Sequence, residues 1–107
     1  MAFPYRPQYP YQISHTNRVA VPAVAADVVA KDAIIYQITV ANTTAGALTF
    51  TVQDKDGTPS EVMDAVSIAA NTTYVIAFPF GEPMVGGINW VASGVGLKAS
   101  IYGYYRA

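Results

Sequence analysis

The chain has 107 residues, enough for one domain with its own hydrophobic core. Hydrophobic residues make up 52% and charged residues 12%, about half the usual charged share, and the formal net charge is −1. This balance excludes long-range attraction to nucleic acid or to an anionic membrane, and the absence of cysteine excludes disulfides and thiolate metal sites. Because few charges protect the surface from association, we expect partner proteins to cover much of it.

Proline recurs every third residue near the N-terminus, at Pro4, Pro7 and Pro10. Polyproline II has three residues per turn, and proline holds its predecessor extended, so residues 1–17 are predicted to be an extended arm before one domain at 18–107. Such an arm can anchor on a neighbouring subunit through its aromatic side chains; the alternatives are folding back on its own domain and disorder. The arm residues expected at a protein interface are Tyr5, Arg6, Tyr9 and Tyr11.

Apolar and polar residues alternate through residues 34–53. The alternation predicts two half-buried antiparallel strands, because a helix would place apolar residues three and four positions apart. In each strand every second residue is assigned to the apolar face. These faces consist of Ile34, Tyr36, Ile38 and Val40 in the first strand, and of Leu48, Phe50 and Val52 in the second.

Shorter strands are predicted on both sides of this pair. Weak strands are predicted at residues 18–22 and 23–31. An irregular stretch ends in a short strand at 66–68. Residues 73–80 are predicted to be an edge strand because of Pro79, and a loop is expected from Gly81. A closing hairpin at 87–106 places Trp90 towards the core, and Tyr102 and Tyr104 on the outer face beside Lys98. Seven or eight short strands indicate an antiparallel sandwich or barrel. Of these we predict an all-β antiparallel sandwich, jelly-roll or immunoglobulin-like, with an extended N-terminal arm.

The residue types of catalytic and metal sites do not converge anywhere in the sequence. His15 is the single histidine, and Asp54 and Asp56 begin a sequence like a calcium loop whose closing position is Ala65 rather than glutamate. Asn42 and Asn71 each head an Asn-Thr-Thr sequence and are interpreted as turn caps. We therefore expect a protein that is not an enzyme, with no catalytic, cofactor-binding or metal-binding residues.

Two stretches resemble the small virion proteins of tailed bacteriophages. They are the phrase GINWVASG at residues 87–94 and the terminal YGYYR at 102–106, and the likeness extends over residues 33–107. The resemblance implies a β-sandwich bound to a capsid, often as a trimer.

A capsid decoration or cementing protein is therefore the expected function, with Tyr102 and Tyr104 added to the arm residues as interface residues. The expected partners are the major capsid protein or another virion protein and further copies of the chain, but neither nucleic acid nor a membrane. No apolar signal segment is visible, so we expect synthesis in a host cytoplasm and a final location in the virion. The alternative is a carbohydrate- or receptor-binding module of a tail or fibre, with an aromatic platform of Trp90, Tyr102, Tyr104 and Tyr105.

Overall fold

The computed structural model describes residues 11–14, 19–55 and 61–105, with backbone alone for Tyr11–Ser14, Glu61 and Val62. All regular structure in these ranges is β-strand, as the alternation predicted. The strands are β1 Tyr11–Ser14, β2 Val19–Ala20, β3 Ala26–Val29, β4 Ala33–Asn42, β5 Leu48–Asp54, β6 Glu61–Ile68, β7 Thr72–Met84, β8 Ile88–Ala92 and β9 Leu97–Tyr105. Strand β1 lies inside the segment predicted as an extended arm.

Two antiparallel sheets form a β-sandwich. The first sheet has the order β1-β9-β4-β7, with β2 also on β9, and the second has the order β3-β8-β5-β6. Strands β1 and β2 pair with opposite ends of β9, so the nine strands occupy eight positions. From β2 onwards every connection crosses between the sheets except β5–β6, which is the strand order of a jelly roll. An immunoglobulin-like topology is thereby excluded.

The core lies between the two sheets and is almost entirely apolar. Phe50 of β5 and Trp90 of β8 meet there with ring centroids 6.0 Å apart, and Trp90 is 3% exposed. The predicted alternation holds in β5, β8 and β9, where the residues assigned to the inner face are buried or packed against the core. Aromatic and branched side chains that face a second sheet supply the main stabilising term of such a fold.

The alternation predicted for β4 is wrong in its first half. Ile35 is fully buried and Tyr36 is 40% exposed, whereas Ile38 and Val40 are buried as expected. The register against β9 shifts between Ile35, which faces Gly103, and Gln37, which faces Tyr102, so that Tyr36 is an extra residue in the strand. This β-bulge reverses the side-chain direction, and it turns Tyr36 outward.

The same bulge is larger on the side of β7. Ile35 faces Glu82 and Gln37 faces Ala77, so four residues of β7, numbers 78–81, stand opposite one residue of β4. The strand continues from there to Met84, and the loop predicted from Gly81 is therefore wrong. Gly81 has a φ of +79°, a backbone conformation that glycine accepts without strain.

Strand β6 is also longer than the sequence indicated. It extends over Glu61–Ile68 instead of 66–68 alone. The irregular pattern has a local cause, because Ala65 has a φ of +48° and the pairing with β5 shifts near it. A residue in the left-handed region interrupts the alternation without ending the strand.

Candidate interaction surface

The edge strands of a sheet carry unpaired backbone donors and acceptors, so they are natural contact sites unless they are protected. Three of the four edges described here have protection of a known kind. Strands β1 and β2 are short, and β3 has four residues with a register shift. Strand β6 is bent at Ala65, whose N–H donates to the Thr51 hydroxyl oxygen at 3.0 Å.

Strand β7 is the fourth edge. Pro79, Pro83 and the bulge protect its second half, whereas residues 72–77 contain no proline and pair regularly with β4. The strand has 13 residues and pairs with β4 along one side. Residues 72–81 contain no charged side chain, and Glu82 is the single charged residue of the strand. Val75 is 56% exposed and Tyr74 is 38% exposed, so the strand presents apolar surface as well as backbone groups. We refer to Thr72–Met84 with its free side as the β7 edge.

Phe80 is the most exposed large apolar residue of the described chain, at 98%. It lies in the four-residue protrusion opposite Tyr36, where β7 moves away from β4 and the Gly81 conformation turns the chain. Nearby, Val85 is 54% exposed just beyond the strand. A phenylalanine with nearly all its surface in water is unfavourable for an isolated molecule, and it is typical of a contact that a partner completes.

Three tyrosines lie together on the outer face of the first sheet. Tyr36 and Tyr104 make an edge-to-face contact with ring centroids 6.1 Å apart, and Tyr102 follows on the same side of β9. Tyr36 also lies over Gly81, where a Cβ atom would come within 3.2 Å of its ring. Tyr104 is 37% exposed and Tyr102 is half-buried. We call Tyr36, Tyr102 and Tyr104 the tyrosine face.

The interface residues predicted from sequence fall into two groups. Tyr5, Arg6 and Tyr9 lie outside the described residues, and Tyr11 is described by its backbone alone, at the start of β1. Tyr102 and Tyr104 stand side by side on the outer face, as the alternation in β9 indicated. Their assignment to an interface remains a prediction.

The aromatic platform proposed for carbohydrate binding is not assembled in this fold. Trp90 is buried between the sheets, and half-buried Tyr105 packs against the core, because both alternate onto inner faces. Tyr102 and Tyr104 face the opposite way from Tyr105 on β9. The four residues therefore cannot stack on one sugar.

Sequence reasoning missed two residues of the surface, Tyr36 and Phe80. Both depend on the bulge between β4 and β7, which turns Tyr36 away from its predicted face and places Phe80 in the protrusion of β7. The signal for the bulge was the apolar pair Ile34-Ile35 followed by tyrosine, which breaks strict alternation. The Pro79-Phe80-Gly81 sequence was the corresponding signal in β7.

The two Asn-Thr-Thr sequences meet at one end of the sandwich. Asn42 pairs with Thr72 across β4 and β7, and Asn71 donates its backbone N–H to the Thr44 carbonyl at 3.1 Å. Together they line a shallow cleft of about 220 Å³. The Asn42 side chain caps the turn by accepting a hydrogen bond from the Thr44 N–H at 2.9 Å, which confirms its predicted role.

A small polar cluster connects β3, β5 and β8 on the second sheet. Asn89 donates to the Asp27 carboxylate at 2.9 Å, and Lys55 forms an ion pair with it at 3.2 Å. The pKa of Asp27 is lowered below its ordinary value by the hydrogen bond from Asn89, which is the largest single cause, and by Lys55. This arrangement ties the short edge strand β3 to β8 and to the residue that follows β5.

Within the described residues, no three histidine, cysteine or acidic side chains form a group that could hold a metal ion. In the same part of the chain, no helix is long and apolar enough to cross a bilayer. Comparison of the chain with family models, with curated proteins and with solved structures found no match. The candidate site is therefore defined by its own geometry.

Proposed function

We propose that this protein is a non-enzymatic structural component of a bacteriophage virion, and that it decorates or cements the capsid. It binds neighbouring protein subunits through the β7 edge, with Phe80 as the apolar anchor. The tyrosine face and the arm residues Tyr5, Arg6, Tyr9 and Tyr11 add further contacts. Its action is mechanical, since it adds buried area across subunits that would otherwise separate.

The observation that carries the proposal is the unprotected first half of the β7 edge, residues 72–77. An uncharged and regular stretch of edge, here residues 72–77, can accept a strand of another protein, whose backbone groups satisfy its own. The other described edges are short, bent or fixed by an ion pair, so the exposure of β7 is specific to this side of the molecule. A jelly roll is also a recurrent fold of viral capsid domains, and this adds support by analogy.

Repetition makes modest contacts sufficient for stable decoration. Full burial of one phenylalanine side chain contributes roughly 1.5–3 kcal/mol. A single Phe80 contact would give weak binding after the entropic cost of association. Linked copies on a symmetric lattice bind far more tightly than one copy, because each further contact forms at high effective concentration.

The test is the occupancy of purified virions, measured by quantitative mass spectrometry, in a phage that produces variants of this chain. Val75→Lys and Phe80→Lys each place a charge on the β7 edge and should lower the number of copies per particle at least tenfold. Val95→Lys is the matched control, because Val95 is 85% exposed and belongs to the β8–β9 connection instead of the β7 edge. Normal occupancy of both edge variants, or an absence of the wild-type chain from virions, would overturn the proposal.

A further inference from the structure

The tyrosine face has the chemistry of a surface that recognises proline-rich segments. Its rings are partly exposed, and the contact between Tyr36 and Tyr104 holds two of them nearly perpendicular, with an interplanar angle of 86°. Proline rings fit into grooves between aromatic rings, and the phenol hydroxyls can donate hydrogen bonds to the backbone carbonyls of an extended segment. Domains that bind polyproline II segments use aromatic grooves of this kind.

The chain itself contains a segment of matching chemistry. Residues 1–10 read MAFPYRPQYP, with prolines at every third position and tyrosines between them. A polyproline II segment makes no internal hydrogen bonds, so its carbonyls are free for a partner, and little entropy is lost when it binds. Since this segment ends where β1 begins, it is attached directly to the sheet that carries the tyrosine face.

We propose that the tyrosine face of one copy binds residues 1–10 of a second copy, so that exchanged arms hold a homo-oligomer together. This inference rests on the proposed function in one respect, that the protein acts in an assembly of many subunits. It assigns the tyrosine face to contacts between copies and leaves the β7 edge for the other virion protein.

The direction of β1 explains why the arm goes to a second copy. Tyr11 is paired with Tyr105 at the end of β9, and β1 is antiparallel to β9, so an extended segment before Tyr11 would leave the sheet past that end. To cover its own tyrosine face, the arm would have to reverse within a few residues. The regular three-residue spacing of Pro4, Pro7 and Pro10 favours a continuous polyproline II segment over such a reversal.

The length of the arm suits this exchange. Ten residues of polyproline II span about 31 Å, which exceeds the roughly 14 Å across the four strand positions of the first sheet. An arm that leaves one molecule can therefore cross the whole outer face of a neighbour. Repeated around a rotation axis, the exchange closes into a ring in which each copy gives one arm and receives one.

The experiment measures the mass of the full-length protein in solution by light scattering over a range of concentrations. The wild type should be an oligomer. The face variant Tyr36→Ser/Tyr104→Ser and the arm variant Tyr5→Ser/Tyr9→Ser should each be a folded monomer by circular dichroism at the same concentrations. Val95→Ser should keep the wild-type mass, since Val95 is 85% exposed but lies in the β8–β9 connection, outside the tyrosine face and the β7 edge.

Mixing the two variants separates exchange from folding back. The arm variant retains an intact face and the face variant retains an intact arm, so an equimolar mixture should form a heterodimer while neither variant associates alone. A monomeric wild type, an oligomeric face variant, or a mixture without heterodimer would overturn the inference. These outcomes leave the proposed function intact, because virion occupancy is tested at Val75 and Phe80 on a different surface.

Discussion

The ring of Tyr36 stands edge-on to the ring of Tyr104, with the centroids 6.1 Å apart and the planes at 86°. The two residues belong to adjacent strands of one sheet, and they meet because a bulge turns Tyr36 outward. Simple alternation assigned Tyr36 to the wrong face of the sheet and Tyr104 to the correct one. A local irregularity of the backbone thus creates the aromatic surface.

The Tyr36–Tyr104 contact should be measurable as a coupling energy. Tyr36→Ala, Tyr104→Ala and the double variant form a double-mutant cycle, measured by urea unfolding. We expect a coupling of about 0.5–1.5 kcal/mol, the usual range for edge-to-face aromatic pairs. Tyr104→Phe keeps the ring and should retain the coupling to Tyr36. Strictly additive effects would contradict the contact.

Asn42 should be the most sensitive polar residue of the described chain. Its side chain is 1% exposed, and its amide group donates to the Gly46 and Ile68 carbonyls at 2.9 Å each. Asn42→Ala should lower the free energy of unfolding by about 1–3 kcal/mol, because buried carbonyls lose their donors. Asn42→Asp should cost more at neutral pH, since a carboxylate cannot donate. Thr43→Ala, at an exposed neighbouring position, should have little effect; equal effects would contradict this account.

Gly103 should tolerate no side chain. A Cβ atom there would lie 2.0 Å from the carbonyl oxygen of Ile34, a backbone atom that cannot move without separating β4 from β9. Gly103→Ala should therefore destabilise the fold by about 1–3 kcal/mol or more. Gly46→Ala is the matched control and should be nearly neutral in thermal unfolding, since no atom lies within 4 Å of its Cβ position. A stable Gly103→Ala protein would mean that the strands are paired in another register.

Asp27 should make stability depend on acid pH. Its folded-state pKa is lowered by Asn89 and by Lys55, so the interaction contributes stability above the unfolded pKa, about 3.9. That contribution is lost as the pH falls through the lower, folded-state pKa. The stability difference between wild type and Asp27→Asn should be full at pH 6 and should vanish in strong acid.

Lys55→Gln provides the control for this pH dependence. It should show the same trend with a smaller amplitude, because the hydrogen bond from Asn89 remains. The measurement is urea unfolding at a series of pH values. A difference between wild type and Asp27→Asn that does not change with pH would contradict the assigned contacts.

The sequence predicts the strands and most of their faces because these depend on local alternation. Leu97, Ala99 and Ile101 illustrate this, since every second residue of β9 is buried as expected. The strand order could not be predicted in this way. The pairing of β9 with β1, β2 and β4 joins distant parts of the chain, and periodicity alone carries no information about it.

The candidate site was predicted only where its strand is regular. Tyr102 and Tyr104 follow from the alternation of β9, whereas Tyr36 and Phe80 require the position of a bulge. A bulge depends on how two strands fit together, and either strand read alone gives a weak signal. The sequence therefore identified the outer face of β9 and missed the neighbouring residues that complete the surface.

Tyr11 and Tyr105 are partners in the ladder between the first and the last strand of the described chain. Both ends of the folded domain consequently emerge at one pole, about one strand spacing apart. In a chain that lacks residues 1–10, a short linker could join Tyr105 to Tyr11 and give a circular permutant opened between β5 and β6. Such a closure would change where the chain begins and leave every strand pairing of the two sheets in place.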